Sequence, residues 1–205
     1  DHPLADYINV AASSTSGTLA DGFATVPGAP ALAQMPYGTA EFGQQIQVGQ
    51  VITNSYLPAA VVDAANVRGC NPFPAGAFTG KAALIQRGTC NFSTKARNAQ
   101  NAGATMAVIY NNTGGTTIQA MSCGDPNCDD ITIPTIFIGQ NNGAALLNWY
   151  NTQGAAAAVI VVSGNAFQAG NTPDQVSNFS SRGPAVGLVL RPDIAAPGVN
   201  ILAQG

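Results

Sequence analysis

Short apolar runs alternate with polar stretches punctuated by Gly and Pro, a texture of strands and short helices. Lys81-Ala-Ala-Leu-Ile-Gln86 reads as an apolar strand. Ser93 or Thr94 can cap a following helix whose inner face is Phe92, Ala96, Ala99 and Ala102, and Gly103 sits where a left-handed residue ends it. Met106-Ala-Val-Ile-Tyr110 forms the next strand, and the Ala-rich helix face predicts a close approach to the sheet. A second unit repeats the logic: a strand over 133–138, Asn141 capping a helix over 143–152, Gly154 ending it, and a strand over 155–162. Upstream, Ile46, Val48, Val51 and Ile52 predict one or two further strands, and residues 7–12 another. Turn signals at Asn71-Pro72, Gly114-Gly115 and Asp125-Pro126 break these elements. The pattern predicts a mixed α/β (α+β) domain, β-rich with two flanking helices, and excludes a helical bundle.

Texture also divides the chain into residues 1–22, 23–165 and 166–205. The first has one strand candidate and a Ser/Thr/Gly stretch. The second holds the cysteines and most periodic structure. The third is rich in Pro, Gly and Ser.

Composition narrows the function. Only 8% of residues are charged, against roughly 25% in typical domains, so the surface is polar but largely neutral. A net charge of -3 with seven Lys and Arg gives no footprint for nucleic acid, and no basic helix points to a membrane surface. The longest apolar run, 155–163, is far below the roughly 20 residues that cross a bilayer. Residue 1 is Asp, and no charged and then apolar leader follows it.

The four cysteines can pair in three ways. Gly-Asp-Pro-Asn between Cys123 and Cys128 is turn-forming and brings those two together, leaving Cys70 with Cys90. Four free thiols, or a zinc site of four thiolates, are the alternatives. The spacings lack the paired C-x2-C knuckles of a zinc ribbon. Two disulfides imply an oxidising compartment.

Gly80-Lys-Ala-Ala-Leu-Ile-Gln-Arg-Gly-Thr-Cys-Asn-Phe92, Lys95 and the run from Ala102 to Asn112 resemble the core of the protease-associated (PA) domain. That family has a strand ending in Arg-Gly-x-Cys-x-Phe, a Lys on the next helix, then Ala-Gly-Ala and a strand ending in Asn-Asn. Ile133-Pro-Thr-Ile-Phe-Ile-Gly139 resembles its later Ile-Pro strand, and the resemblance covers about residues 30–163. The flanks resemble subtilisin-like serine proteases. Asp6-Tyr-Ile-Asn-Val-Ala-Ala-Ser13 is similar to a core strand of that family. The segments from Val176 to Pro184 and from Arg191 to Ile201 are similar to its Ser-Phe-Ser-Ser-x-Gly-Pro and Pro-Asp-x-x-Ala-Pro-Gly motifs. A PA domain is often inserted between these core segments. The resemblance implies a secreted parent protease, the rest of its catalytic domain as neighbour, and protein or peptide substrates as partners.

Subtilases need a Ser nucleophile, a His base and an orienting Asp within hydrogen-bonding reach. The resemblance places all three motifs, and the oxyanion Asn, outside residues 1–205, and Asn9 falls within the strand pattern. The single histidine, His2, stands at a terminus, where catalytic geometry is rarely held. No catalytic residue is expected in this chain.

Asp125, Asp129 and Asp130 cluster as calcium ligands would, but Asp130 stands where an EF-hand needs Gly and Ile136 where it needs Glu. A solvated loop tied by Cys123 and Cys128 is the preferred reading, with no cofactor. Lys81, Arg87, Lys95 and Arg97 lie within 17 positions and read as solvated element ends, with Arg87 buttressing the turn before Cys90. Asn91, Asn111 and Asn178 begin glycosylation triplets. Phe73, Phe78 and Phe92 are expected in the core. Tyr37 and Phe42, in a Gly-punctuated segment, are expected to be partly exposed and are the candidate contacts for a protein substrate.

The leading functional reading is a non-catalytic interaction module that admits, positions or excludes substrates. A structural or self-association module bracing the protease is the alternative, and an independent enzyme the third.

Overall fold

Strands appear where β-branched and aromatic residues cluster, and the structure, a computed structural model, describes residues 8–13, 17–170, 176, 180 and 192–198. In chain order the strands are β1 (Val10–Ser13), β2 (Gly17–Ala20), β3 (Gly22–Thr25), β4 (Met35–Thr39), β5 (Val51–Pro58), β6 (Ala82–Gln86), β7 (Met106–Tyr110), β8 (Thr135–Ile138), β9 (Val159–Ser163), β10 (Phe167–Gly170) and β11 (Ile194–Pro197). The helices are α1 (Ala59–Val62), α2 (Phe92–Asn101) and α3 (Gln140–Gln153). The fold is mixed α/β and β-rich, as expected.

Contacts divide the chain into two units, Ala20–Phe167 and the pair Asp1–Leu19 with Gln168–Gly205. In the first, β3, β4, β8, β7, β6, β5 and β9 close into a barrel in that order. Neighbours from β5 through β6 and β7 to β8 run parallel, and the remaining pairs are antiparallel. Parallel neighbours need crossovers. The β6–α2–β7 unit supplies one, in register from Ala82↔Met106 to Gln86↔Tyr110.

Alternation along the strands sorts their side chains into two cores. Ala24, Tyr37, Tyr56, Leu84, Val108, Ile136 and Ile160 belong to one cluster, fed by every barrel strand and so its lumen. Leu146 and Trp149 of α3 pack into it. Tyr56 Oη donates to Leu146 O (2.8 Å) and Trp149 Nε1 to Ala157 O (3.0 Å). Gly143 is required here, because a Cβ would lie 2.2 Å from the Tyr110 ring.

The intervening residues Ala83, Ile85, Ala107, Ile109 and Phe137 face outward under Ala96, Ala99 and Ala102 of α2. The small Ala side chains give the expected close approach. Gly103 has φ +88° and ends α2 as predicted.

Local details differ from expectation. Helix α2 starts at Phe92, with Asn91 as N-cap instead of Ser93 or Thr94, and the Thr94 hydroxyl turns to Asp125 (3.2 Å). Helix α3 starts at Gln140 with Gly139 as N-cap, and Asn141 N–H bonds Gly115 O (3.0 Å). The run 155–162 begins as a 3-10 turn, Ala155–Ala157, before β9. Ile46 and Val48 lie outside the strands, and Val48 is exposed.

The second unit pairs β1 with β11 in parallel, from Val10↔Ile194 to Ser13↔Pro197, and β2 with β10. Asn9 N–H donates to Asp193 Oδ2 (2.8 Å) and Ala12 N–H to Ser180 Oγ (2.9 Å).

Candidate functional site

Crevices in sheets with parallel strands form beyond the strands' carboxyl ends, and one of two open grooves among the described residues lies there. The turn after β6 supplies Arg87 to Phe92, the end of β7 leads to Asn112 and Thr113, and Ser122 and Gly124 complete the wall. The groove holds about 530 Å³ and opens to solvent.

The turn is unusual. Thr89 has φ +70°, and Cys90 N–H donates to Gly88 O (2.9 Å), a three-residue γ-turn that is rare and strained. Such positions cost on the order of 1–3 kcal/mol and persist only when surroundings hold them. Three groups hold this one. The Cys70–Cys90 disulfide ties it to the preceding loop, Arg68 Nη1 donates to Thr89 Oγ1 (2.8 Å), and Lys95 reaches it from below.

Lys95 is fully buried, contrary to its expected place at a solvated end. Helix position decides this: Lys95 lies next to Ala96 on the face that packs inward. Its Nζ donates to Arg68 O (2.5 Å) and Gly88 O (2.8 Å) and lies 3.3 Å from Cys90 Sγ and 3.6 Å from Cys70 Sγ. Burial, with repulsion from Arg68, pulls its pKa down to about 8. Arg87 buttresses the turn as expected, with Nη1 on Asn111 Oδ1 (3.0 Å) and the guanidinium 5.9 Å above the Phe92 ring.

Arg97 is not a free solvated end either. It forks onto Asp125 (2.7 Å) and Asp130 (2.5 Å) and also donates to Asn127 O (2.7 Å). Asp125 sits over the start of α2, accepting from Asn91 Nδ2 (2.9 Å) and Thr94 Oγ1 (3.2 Å). Asn91, with Arg97 and Thr94, holds the Asp125 carboxyl down at about 2. The acidic cluster thus serves Arg97 and the helix start. Among the described residues no group of three or more metal-ligating side chains comes together.

The two disulfides are Cys70–Cys90 and Cys123–Cys128. A second open groove, about 750 Å³, runs from Glu41 and Gly43 along the Cys123–Cys128 loop.

Tyr37 and Phe42 are 1% and 5% exposed, so their expected exposure does not hold. Tyr37 points into the barrel, where its hydroxyl donates to Ser163 O (3.0 Å); burial pushes that hydroxyl up to about 12. Phe42 packs in the outer core and lines the second groove. Phe73 and Phe78 are core, and Phe92 is partly buried against it. Asn91 Nδ2 is committed to Gly124 O and Asp125, and Asn111 is buried. His2 and Asn178 lie outside the described residues.

Sequence reasoning missed the groove itself. The signal was present in Arg87-Gly-Thr-Cys90, where a Gly beside a strand end marks a sharp turn.

A barrel with a stapled turn at its parallel strand ends is a scaffold for an open binding groove lined by amides, hydroxyls and one guanidinium. Residues 57–146 match the PA domain. The chain is 35% identical over 127 residues to the Minor extracellular protease Vpr of Bacillus subtilis (strain 168), across 62% of this chain and 14% of that protein. It is 34% identical over 128 residues to a PII-type proteinase of Lactococcus lactis subsp. cremoris, across 60% of this chain and 6% of that protein. The chain therefore spans a small part of these relatives. A zinc aminopeptidase structure from Bacillus subtilis superposes with a TM-score of 0.50 at 20% identity, covering 78% of this chain and 33% of that one. That likeness concerns the fold alone.

Proposed function

We propose that this chain is a non-catalytic, protein-binding part of a secreted subtilisin-like serine protease, and that the groove beyond β6 and β7 takes an extended segment of the protein substrate. The groove carries the reading. Its lining offers peptide-binding chemistry: the Thr89, Thr113 and Ser122 hydroxyls, the Asn112 amide, and the Arg87 guanidinium. Among the described residues no carboxylate pairs with Arg87, leaving it able to meet a substrate carbonyl or carboxylate. The two bridged cysteine pairs fit an extracellular setting.

The β1–β11 pair supports the larger parent. Parallel sheets are normally covered on both faces, yet the register partners Val10 and Ile194 are each 54% exposed. Helices of a catalytic domain packed on that face would cover them.

Filling the groove tests the reading. Thr113→Trp should abolish binding of unfolded casein peptides to the chain while leaving its circular dichroism unchanged. Equal binding by the native chain and the variant would reject it.

A further inference from the structure

We propose that Cys70–Cys90 is a site of thiol–disulfide exchange, in which Lys95 holds the Cys90 thiolate released on reduction. The inference does not depend on what the groove binds.

Two features of the fold prepare that thiolate. Cys90 immediately precedes Asn91, the N-cap of the ten-residue helix α2, where backbone N–H groups favour a negative charge. The Lys95 ammonium stands 3.3 Å from Cys90 Sγ and 3.6 Å from Cys70 Sγ. The ammonium is fully buried, its other contacts are the carbonyls of Arg68 and Gly88, and no carboxylate among the described residues pairs with it. A buried cation without a counter-charge is costly, and a thiolate at this position would supply the missing charge. Arg68 and Arg87 beside the turn are also cationic, and the nearby Asp125 carboxylate, which accepts from Asn91, is paired with Arg97.

The sulfurs can be reached, because Cys90 lines the open groove and both cysteines are only half-buried. A thiolate of a small dithiol attacks Cys70 Sγ, the S–S bond breaks, and its electron pair leaves on Cys90 Sγ beside Lys95. The reductant's second thiol loses its proton and displaces Cys70, closing the reductant's own disulfide. Cys70 takes up that proton, and as a thiol it has Gly88 O at 3.7 Å and Arg68 O at 3.8 Å as acceptors. The loop need not open on reduction, since Lys95 still bridges Arg68 O and Gly88 O.

Cys123–Cys128 is the internal control. Cys123 Sγ faces the carbonyl of Asp125 at 3.2 Å, which disfavours a thiolate, and the nearby Arg97 is already paired with two carboxylates.

The test equilibrates the full chain in dithiothreitol buffers of graded poise, traps thiols with iodoacetamide and maps them by mass spectrometry. Lys95→Met should shift the Cys70–Cys90 equilibrium about tenfold toward the disulfide, about 30 mV for this two-electron couple, and leave Cys123–Cys128 unmoved. An unshifted equilibrium overturns the proposal. In the reduced native chain, the pH midpoint for alkylating Cys90 should fall below the roughly 8.5 of a free cysteine. A midpoint at or above 8.5 also overturns it, whether or not the variant folds. No peptide enters this assay, so its failure and failure of the groove reading are separable.

Discussion

Helix α2 sends two cations, two residues apart, to two disulfide-bonded loops, and the two pairs are built in opposite ways. Lys95 is buried against Cys70–Cys90 and bonds only carbonyls and sulfurs. Arg97 lies near the surface and forks onto Asp125 and Asp130 in the Cys123–Cys128 loop. One charge is desolvated and left without an opposite charge, while the other is matched and wet. The difference shows that α2 is a post to which both loops are fastened. The fastening beside the groove stores electrostatic cost, and the one beside the second disulfide does not.

Cutting the staple tests the first half most severely. Replacing Cys70 and Cys90 together by Ser should lower stability by about 3 kcal/mol in the chain-entropy model, read by urea unfolding with Cys123–Cys128 intact. Equal stability would mean that Lys95 and Arg68 hold the turn alone.

Titrating Lys95 comes next. Below pH about 8 both folded and unfolded chains carry the charge, and the folded state bears its full cost. Between about 8 and 10.5 the folded chain sheds the proton while the unfolded chain keeps it. Stability therefore rises with pH in that window, with a slope of up to about 1.4 kcal/mol per pH unit. Lys95→Met should remove that slope.

Asp125 behaves in the opposite sense. Its carboxyl is held down at about 2, so its contribution is present above the ordinary carboxylate range and is lost as pH falls from about 4 toward 2. Asp125→Asn should cost about 1–2 kcal/mol at neutral pH, for the helix-start charge and the Arg97 pair, and should flatten the acid limb of the stability profile. Asp130→Asn should have the smallest effect of the series, shrinking further with added salt, because that carboxylate is exposed.

Much of the fold was legible in the pattern. The strand Met106–Tyr110, the α2 face of Ala96, Ala99 and Ala102, and the stop at Gly103 all follow from periodicity and small side chains. Barrel closure was not, because it depends on β3 pairing β9 across some 140 residues, and no local signal encodes that. Lys95 was misread because a charged side chain looks solvated until its helix position is fixed against the sheet. Tyr37 and Phe42 were misplaced for the related reason that glycines nearby signal turns without saying which aromatic turns inward. The groove was illegible as a whole, since its walls come from three separate loops joined only by the fold.

The central claim is that the groove beyond β6 and β7 is where this chain meets protein. Hydrogen exchange of the full chain, with and without unfolded casein peptides, tests it directly. The account predicts slowed exchange confined to residues 87–92, 112–113 and 122–124. Binding that protects only the β1–β11 pair, or no protection at saturating peptide, would contradict it.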